Sequence, residues 1–125
     1  MKYIGNLSNE HQGSYKKVLC VCSAGMLRSP TMAYVLSQDP YNFNTRSAGT
    51  NEKYALNLID ENLILWADEI VCADDEHRHE INEFCLWSGI DTLVLRKKIV
   101  VLGLPDIYDY RSPRLIELIK ERYVL

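Results

Sequence analysis

Hydrophobic positions along this chain alternate between short unbroken runs and stretches in which they recur every three or four residues, so strands and helices are predicted in turn. Val18 to Val21 form a β-favouring run bounded by polar residues, which predicts a buried strand. Met32, Val35 and Leu36 then fall at i, i+3 and i+4, with Ser29 as a helix cap and Pro30 at the first helical position, so a helix is expected just after Arg28. Asp39-Pro40 breaks the chain, and Phe43 to Ser47 reads as a second strand. Ala55, Ile59, Leu63 and Trp66 recur at i, i+4, i+8 and i+11, a helical stripe expected to pack on the sheet with Trp66 in the core. Glu69 to Ala73 is the third predicted strand, with Asp74 and Asp75 at its end and a capped helix following through Ile81, Phe84 and Cys85. Lys98 to Leu102 is the fourth. Ser112-Pro113 starts a closing helix that carries Leu115, Ile116, Leu118, Ile119 and Tyr123.

This order predicts a single doubly wound α/β domain, a four-stranded parallel sheet with right-handed crossovers and helices on both faces. Ligands of such sheets bind beyond the carboxyl ends of the strands. The stretch that follows the first strand meets that description. Residues 23–27 would aim successive backbone N–H groups and a helix N-terminus at one point, which is how a phosphate dianion is held. Ser23, Ala24, Gly25, Met26 and Leu27 are therefore candidate phosphate-binding residues. A helix N-terminus and a neighbouring cation favour a thiolate, which makes Cys22 the candidate nucleophile. Arg28 can grip two phosphate oxygens with its planar fork, and Ser29 is placed to give a hydroxyl hydrogen bond to the thiolate.

Composition narrows the classes. The 125 residues, 47% of them hydrophobic, fit one core. Residues 1–15 read as a polar N-terminal extension of unknown role and residues 16–125 as the α/β domain. A net charge of -3 argues against a general nucleic-acid or anionic-membrane binder, so any anion site must be local. No apolar run approaches the ~20 residues of a membrane span, and no signal-peptide pattern opens the chain, so a cytoplasmic location is expected. The cysteines at 20, 22, 72 and 85 lack paired C-x2-C spacing, and Cys20 and Cys22 would share one strand face, so reduced thiols are expected. His77 and His79 lie two apart on a helix and do not share a face; they read as a solvated helix start, with no metal and no cofactor implied.

The segment from Cys22 to Pro30 resembles the phosphate loop of the low-molecular-weight protein tyrosine phosphatases, whose usual form is Cys-x-Gly-Asn-x-Cys-Arg-Ser-Pro. Cys22, Arg28, Ser29 and Pro30 align; Ala24 stands for the glycine, Gly25 for the asparagine and Leu27 for the second cysteine. Three further matches come in order: Ser47-Ala48-Gly49-Thr50 at a strand end, Trp66-Ala67-Asp68, and Pro105-Asp106-Ile107-Tyr108 after the last strand. The resemblance implies Cys22 as nucleophile, Arg28 and the loop amides as stabilisers of the phosphoryl oxygens, and Asp106 as the acid that protonates the leaving group. Asp109 is the alternative acid. It also implies Tyr108, with Tyr110, as an aromatic wall for a phosphotyrosine ring, and Tyr54 at the mouth of the site. Leu27 removes the neighbouring thiol by which many of these enzymes protect their nucleophile.

The function implied is hydrolysis of phosphomonoesters, foremost phosphotyrosine on proteins, with phosphoarginine or a small phosphate ester as other substrates, and with inorganic phosphate or another oxyanion able to occupy the loop. Three other readings stand beside it. The loop is also similar to that of the IIB phosphocysteine carriers of sugar transport, although Arg28 and Asp106 have no place there. An arsenate reductase on this scaffold would need a thiol relay from Cys72 and Cys85. A non-catalytic phosphoprotein-binding module would need neither Cys22 nor Asp106.

Overall fold

The computed structural model describes residues 15–25, 27–55, 57–92, 95 and 98–124. The predicted extension over residues 1–15 therefore lies outside the described residues except for Tyr15. In chain order the elements are β1 (Lys17–Cys22), α1 (Arg28–Ser37), β2 (Asn44–Gly49), α2 (Glu61–Trp66), β3 (Glu69–Cys72), α3 (Asp75–Ser88), β4 (Ile99–Val101) and α4 (Pro113–Arg122). The strands form one sheet in the order β2-β1-β3-β4, every pair parallel. β1 is thus paired on both sides, and its last residue, Cys22, stands opposite Gly49 of β2.

Alternate residues of the central strands feed two cores, as the two-residue period of a strand requires. Val18, Cys20, Cys22 and Val71 pack with Met32, Leu36, Leu115 and Ile119 under α1 and α4. Leu19, Val21, Ile70 and Cys72 pack with Ile64, Ile81 and Leu95 under α2 and α3. Cys20 and Cys22 share a face as predicted, and all four thiols are free. The Trp-Ala-Asp stretch also has a job in the fold. Asp68 donates its N–H to the Lys17 carbonyl at 2.8 Å and accepts the Lys17 N–H on its carboxylate at 3.0 Å, which pins the start of β1.

Four expectations are corrected. The helix read over residues 55–66 is helical only over Glu61–Trp66. Before it, the Gly49 N–H reaches the Asn57 carbonyl at 2.8 Å and the Ile59 N–H reaches the Gly49 carbonyl at 3.0 Å, so this stretch runs beside β2 and Asp60 caps a shorter helix. Trp66 sits at the margin of the core, partly buried, with the Arg46 guanidinium 4.4 Å above its ring. Ser29 does not cap α1. The helix starts at Arg28 with Leu27 in the cap position, because the Ser29 hydroxyl is turned toward Cys22 Sγ and the Ala48 carbonyl. Finally, His77 is no solvated residue: it is fully buried, whereas His79 is 74% exposed beside Glu83.

Candidate active site

The loop after β1 is shaped by two glycines. Gly25 has φ +70, a backbone state that favours glycine, and a Cβ there would meet the Gly49 nitrogen at 3.1 Å. Gly49 has the reciprocal constraint: its Cβ would fall 2.5 Å from the Ser23 carbonyl oxygen. The loop is therefore seated on the end of β2. Two hydrogen bonds hold it there, from the Thr50 N–H to the Cys22 carbonyl at 3.0 Å and from the Asn51 N–H to the Ser23 carbonyl at 2.9 Å. This is the physical content of Ser47-Ala48-Gly49-Thr50: a strand end with no side chain where the loop lies.

Folded this way, the loop turns donors onto one sulfur. Gly25 N–H points to Cys22 Sγ at 3.2 Å and Ser29 N–H at 3.4 Å, while Ser29 Oγ is 3.1 Å away. Ser29 Oγ also donates to the Ala48 carbonyl at 3.3 Å, so its hydroxyl can turn to the sulfur once the thiol proton has left. Arg28, although charged, is 4% exposed; its Nη1 donates to the Leu104 carbonyl at 3.0 Å and its Nε lies 3.5 Å from Asp106 Oδ1. Asp106 itself is exposed, on the segment after β4.

A cavity of about 200 Å³ is lined by Cys22, Ser23, Ala24, Leu27, Arg28 and Asp106. Sequence reasoning named all six, although Asp106 lies 78 positions beyond Arg28. Gly25 and Ser29 stand behind them, buried. Met26 lies outside the described residues. Tyr108 is half-buried and packs against the core under α1 and α4, and it does not line the cavity. Tyr54 and Tyr110 are exposed and do not line it either. Asp109 also lies away from the cavity lining; its carbonyl accepts the Ser112 N–H at 3.0 Å.

One residue of this neighbourhood was missed. His77 Nε2 lies 3.0 Å from Ser23 Oγ, and its Nδ1 lies 3.0 Å from the Asp74 backbone nitrogen. The signal was the spacing Asp74-x-x-His77, a capping box with histidine in the third helical position, where glutamate or glutamine is usual. Burial and the Arg28 guanidinium push the His77 pKa down, so the ring is neutral at neutral pH. Among the described residues no group of three or more His, Cys, Asp or Glu side chains could hold a metal ion.

No protein family model matches the chain, and no curated protein matches it by sequence. Solved structures do match it in shape. The tyrosine phosphatase Wzb from Escherichia coli K30, in complex with phosphate, superposes with a TM-score of 0.60 at 19% identity over 92% of each chain. A low molecular weight phosphotyrosine phosphatase from Vibrio cholerae O395 gives 0.58 at 19% identity, covering 84% of this chain and 90% of its own. The YwlE arginine phosphatase from Geobacillus stearothermophilus gives 0.54 at 20% identity, covering 86% of this chain and 82% of its own. The sheet order, the cysteine loop after its central strand and these superpositions together give the chain the fold of the low-molecular-weight tyrosine phosphatases.

Proposed function

We propose that the protein hydrolyses phosphomonoesters, most fittingly phosphotyrosine on proteins, through a phosphorylated Cys22. The observation that carries this reading is the convergence of two backbone N–H groups and the Ser29 hydroxyl on Cys22 Sγ, with Arg28 and Asp106 lining the same small cavity. In the proposed reaction the Cys22 sulfur attacks phosphorus and the P–O bond to the leaving group breaks. Asp106 gives its proton to the departing oxygen, which would otherwise leave as a strong base. Water then attacks the cysteinyl phosphate with Asp106 as base, and inorganic phosphate leaves. Loop amides and the Arg28 guanidinium stabilise charge on the equatorial oxygens. The solved structures of the same fold include tyrosine phosphatases and an arginine phosphatase, which supports a phosphorylated protein side chain as the substrate class.

The arsenate-reductase alternative is disfavoured by the sheet itself. Cys22 belongs to the core under α1 and α4, whereas Cys72 and Cys85 lie in the opposite one, so a relay would have to cross the sheet. The deciding experiment is hydrolysis of p-nitrophenyl phosphate near pH 6 with EDTA and a reductant. Turnover that disappears in Cys22→Ser and drops strongly in Asp106→Asn is expected. An inactive wild-type protein would overturn the reading, and phosphoryl transfer from a carrier would be tested next.

A further inference from the structure

His77 has no exposed surface, and the reaction above leaves it without a part. Its ring is nevertheless held at both nitrogens. The Asp74 backbone N–H can only donate, so Nδ1, 3.0 Å from it, is the unprotonated nitrogen. The proton of the neutral ring then sits on Nε2, and Ser23 Oγ at 3.0 Å is its acceptor. That leaves the hydroxyl proton of Ser23 free to point elsewhere, and Ser23 lines the cavity beside Cys22 and Arg28. The surroundings favour the neutral ring. Arg28 opposes a second positive charge, while the carboxylates that pull the other way, Glu76, Glu80 and Asp74, do not outweigh burial. Glu76 is the carboxylate nearest Nε2, at 3.6 Å, and is itself largely exposed.

We propose that His77 is a positioning residue of the anion site: its Nε2–H occupies a lone pair of Ser23 Oγ, so that the serine hydroxyl proton is directed into the cavity onto an oxygen of the bound phosphoryl group. The inference rests on the phosphatase reading for its catalytic consequence, but not for its binding consequence. A hydroxyl that must accept from one side can donate only to the other. His77 thereby turns a freely rotating serine into a fixed donor, the preorganisation on which electrostatic stabilisation depends.

The test uses the full chain and four variants, with vanadate affinity by calorimetry and kcat and KM on p-nitrophenyl phosphate as readouts. In His77→Asn the amide oxygen takes the place of Nδ1, keeps the Asp74 cap and leaves Ser23 without a donor. In His77→Gln the amide nitrogen takes the place of Nε2 and restores it. Ser23→Ala and His77→Asn should each weaken vanadate binding and lower kcat roughly tenfold or more, as expected for a hydrogen bond to a charged group. The double variant should be no worse than Ser23→Ala, and His77→Gln should recover most of the loss. Losses that multiply in the double variant, or a His77→Gln no better than a folded His77→Asn, would overturn the proposal. Should the His77 variants fail to fold, Ser23→Ala alone decides, since native affinity and turnover in that variant would also overturn it. A wild-type protein that binds vanadate yet hydrolyses nothing would remove the phosphatase reading and leave the vanadate comparison to judge His77.

Discussion

Gly49 stands directly opposite Cys22 in the β1 and β2 register, and the space its side chain would fill is taken by the loop after β1. A Cβ there would also meet the Ala24 carbonyl carbon at 2.8 Å and Ala55 Cβ at 2.9 Å. Gly49→Ala must therefore lift the loop from the strand. The expected result is a loss in kcat/KM of about 10²-fold, the size of a 1 Å misplacement, with overpacking costing ~1–3 kcal/mol in stability. Kinetics together with urea unfolding would check this, and a variant with wild-type activity and stability would refute the seating of the loop on β2.

Asp106 is proposed to act only on the leaving oxygen, so the damage of its removal should scale with how badly that oxygen needs a proton. Asp106→Asn is expected to lower kcat by roughly 10²–10⁴ on phenyl phosphate. On p-nitrophenyl phosphate, whose phenolate departs more readily, the loss should be smaller. Equal losses on both esters would argue that Asp106 serves binding through Arg28, 3.5 Å away, rather than proton transfer.

The four thiols differ in a way that alkylation can read. Cys72 is pushed up to about 12 by burial, and burial also raises Cys20 and Cys85. All three are fully buried, whereas Cys22 lines the cavity. Iodoacetamide at neutral pH should label Cys22 alone in the native protein, and inorganic phosphate should slow it. Peptide mapping that finds Cys72 or Cys85 modified at a comparable rate would contradict this burial pattern.

His77 carries a pH signature as well. Its folded pKa is held below the ordinary 6.5 by burial and Arg28, while the unfolded chain returns it to that value. Below about pH 6.5 the unfolded state takes up a proton that the folded state refuses, so stability declines with falling pH until the folded ring itself protonates. Above that pH the term is constant. Urea unfolding from pH 7.5 to 5 should show a steeper decline for the wild type than for His77→Asn, and parallel curves would mean that His77 does not titrate below its ordinary range.

Much of this architecture is legible in the sequence because the central strands are buried on both faces and read as unbroken apolar runs, and because the candidate phosphate loop is contiguous from Cys22 to Ser29. The misreadings share a cause. The Ala55–Trp66 stripe has helical spacing, yet the backbone of Asn57 and Ile59 bonds to Gly49, and local periodicity cannot register a partner distant along the chain. Tyr108, which the family resemblance implies as an aromatic wall, is half-buried against the core under α1 and α4, a contact that its position two residues after Asp106 does not reveal. His77 reads as solvated because it lies two residues from His79 in a charged helix start, whereas in the fold it is buried and its Nε2 meets Ser23 Oγ, 54 positions earlier.

The sheet order has a consequence for how the site comes apart. β1 is hydrogen-bonded on both edges, so the amides that anchor Cys22 should exchange with solvent only on global opening, among the slowest in the protein. Asp106 follows β4, a three-residue edge strand whose residues are only partly buried. The two halves of the site thus belong to regions of unequal local stability. At denaturant concentrations short of the main transition, the loop around Cys22 should persist while the segment bearing Asp106 loosens, and on the proposed function the protein should still capture an oxyanion after it has stopped turning over.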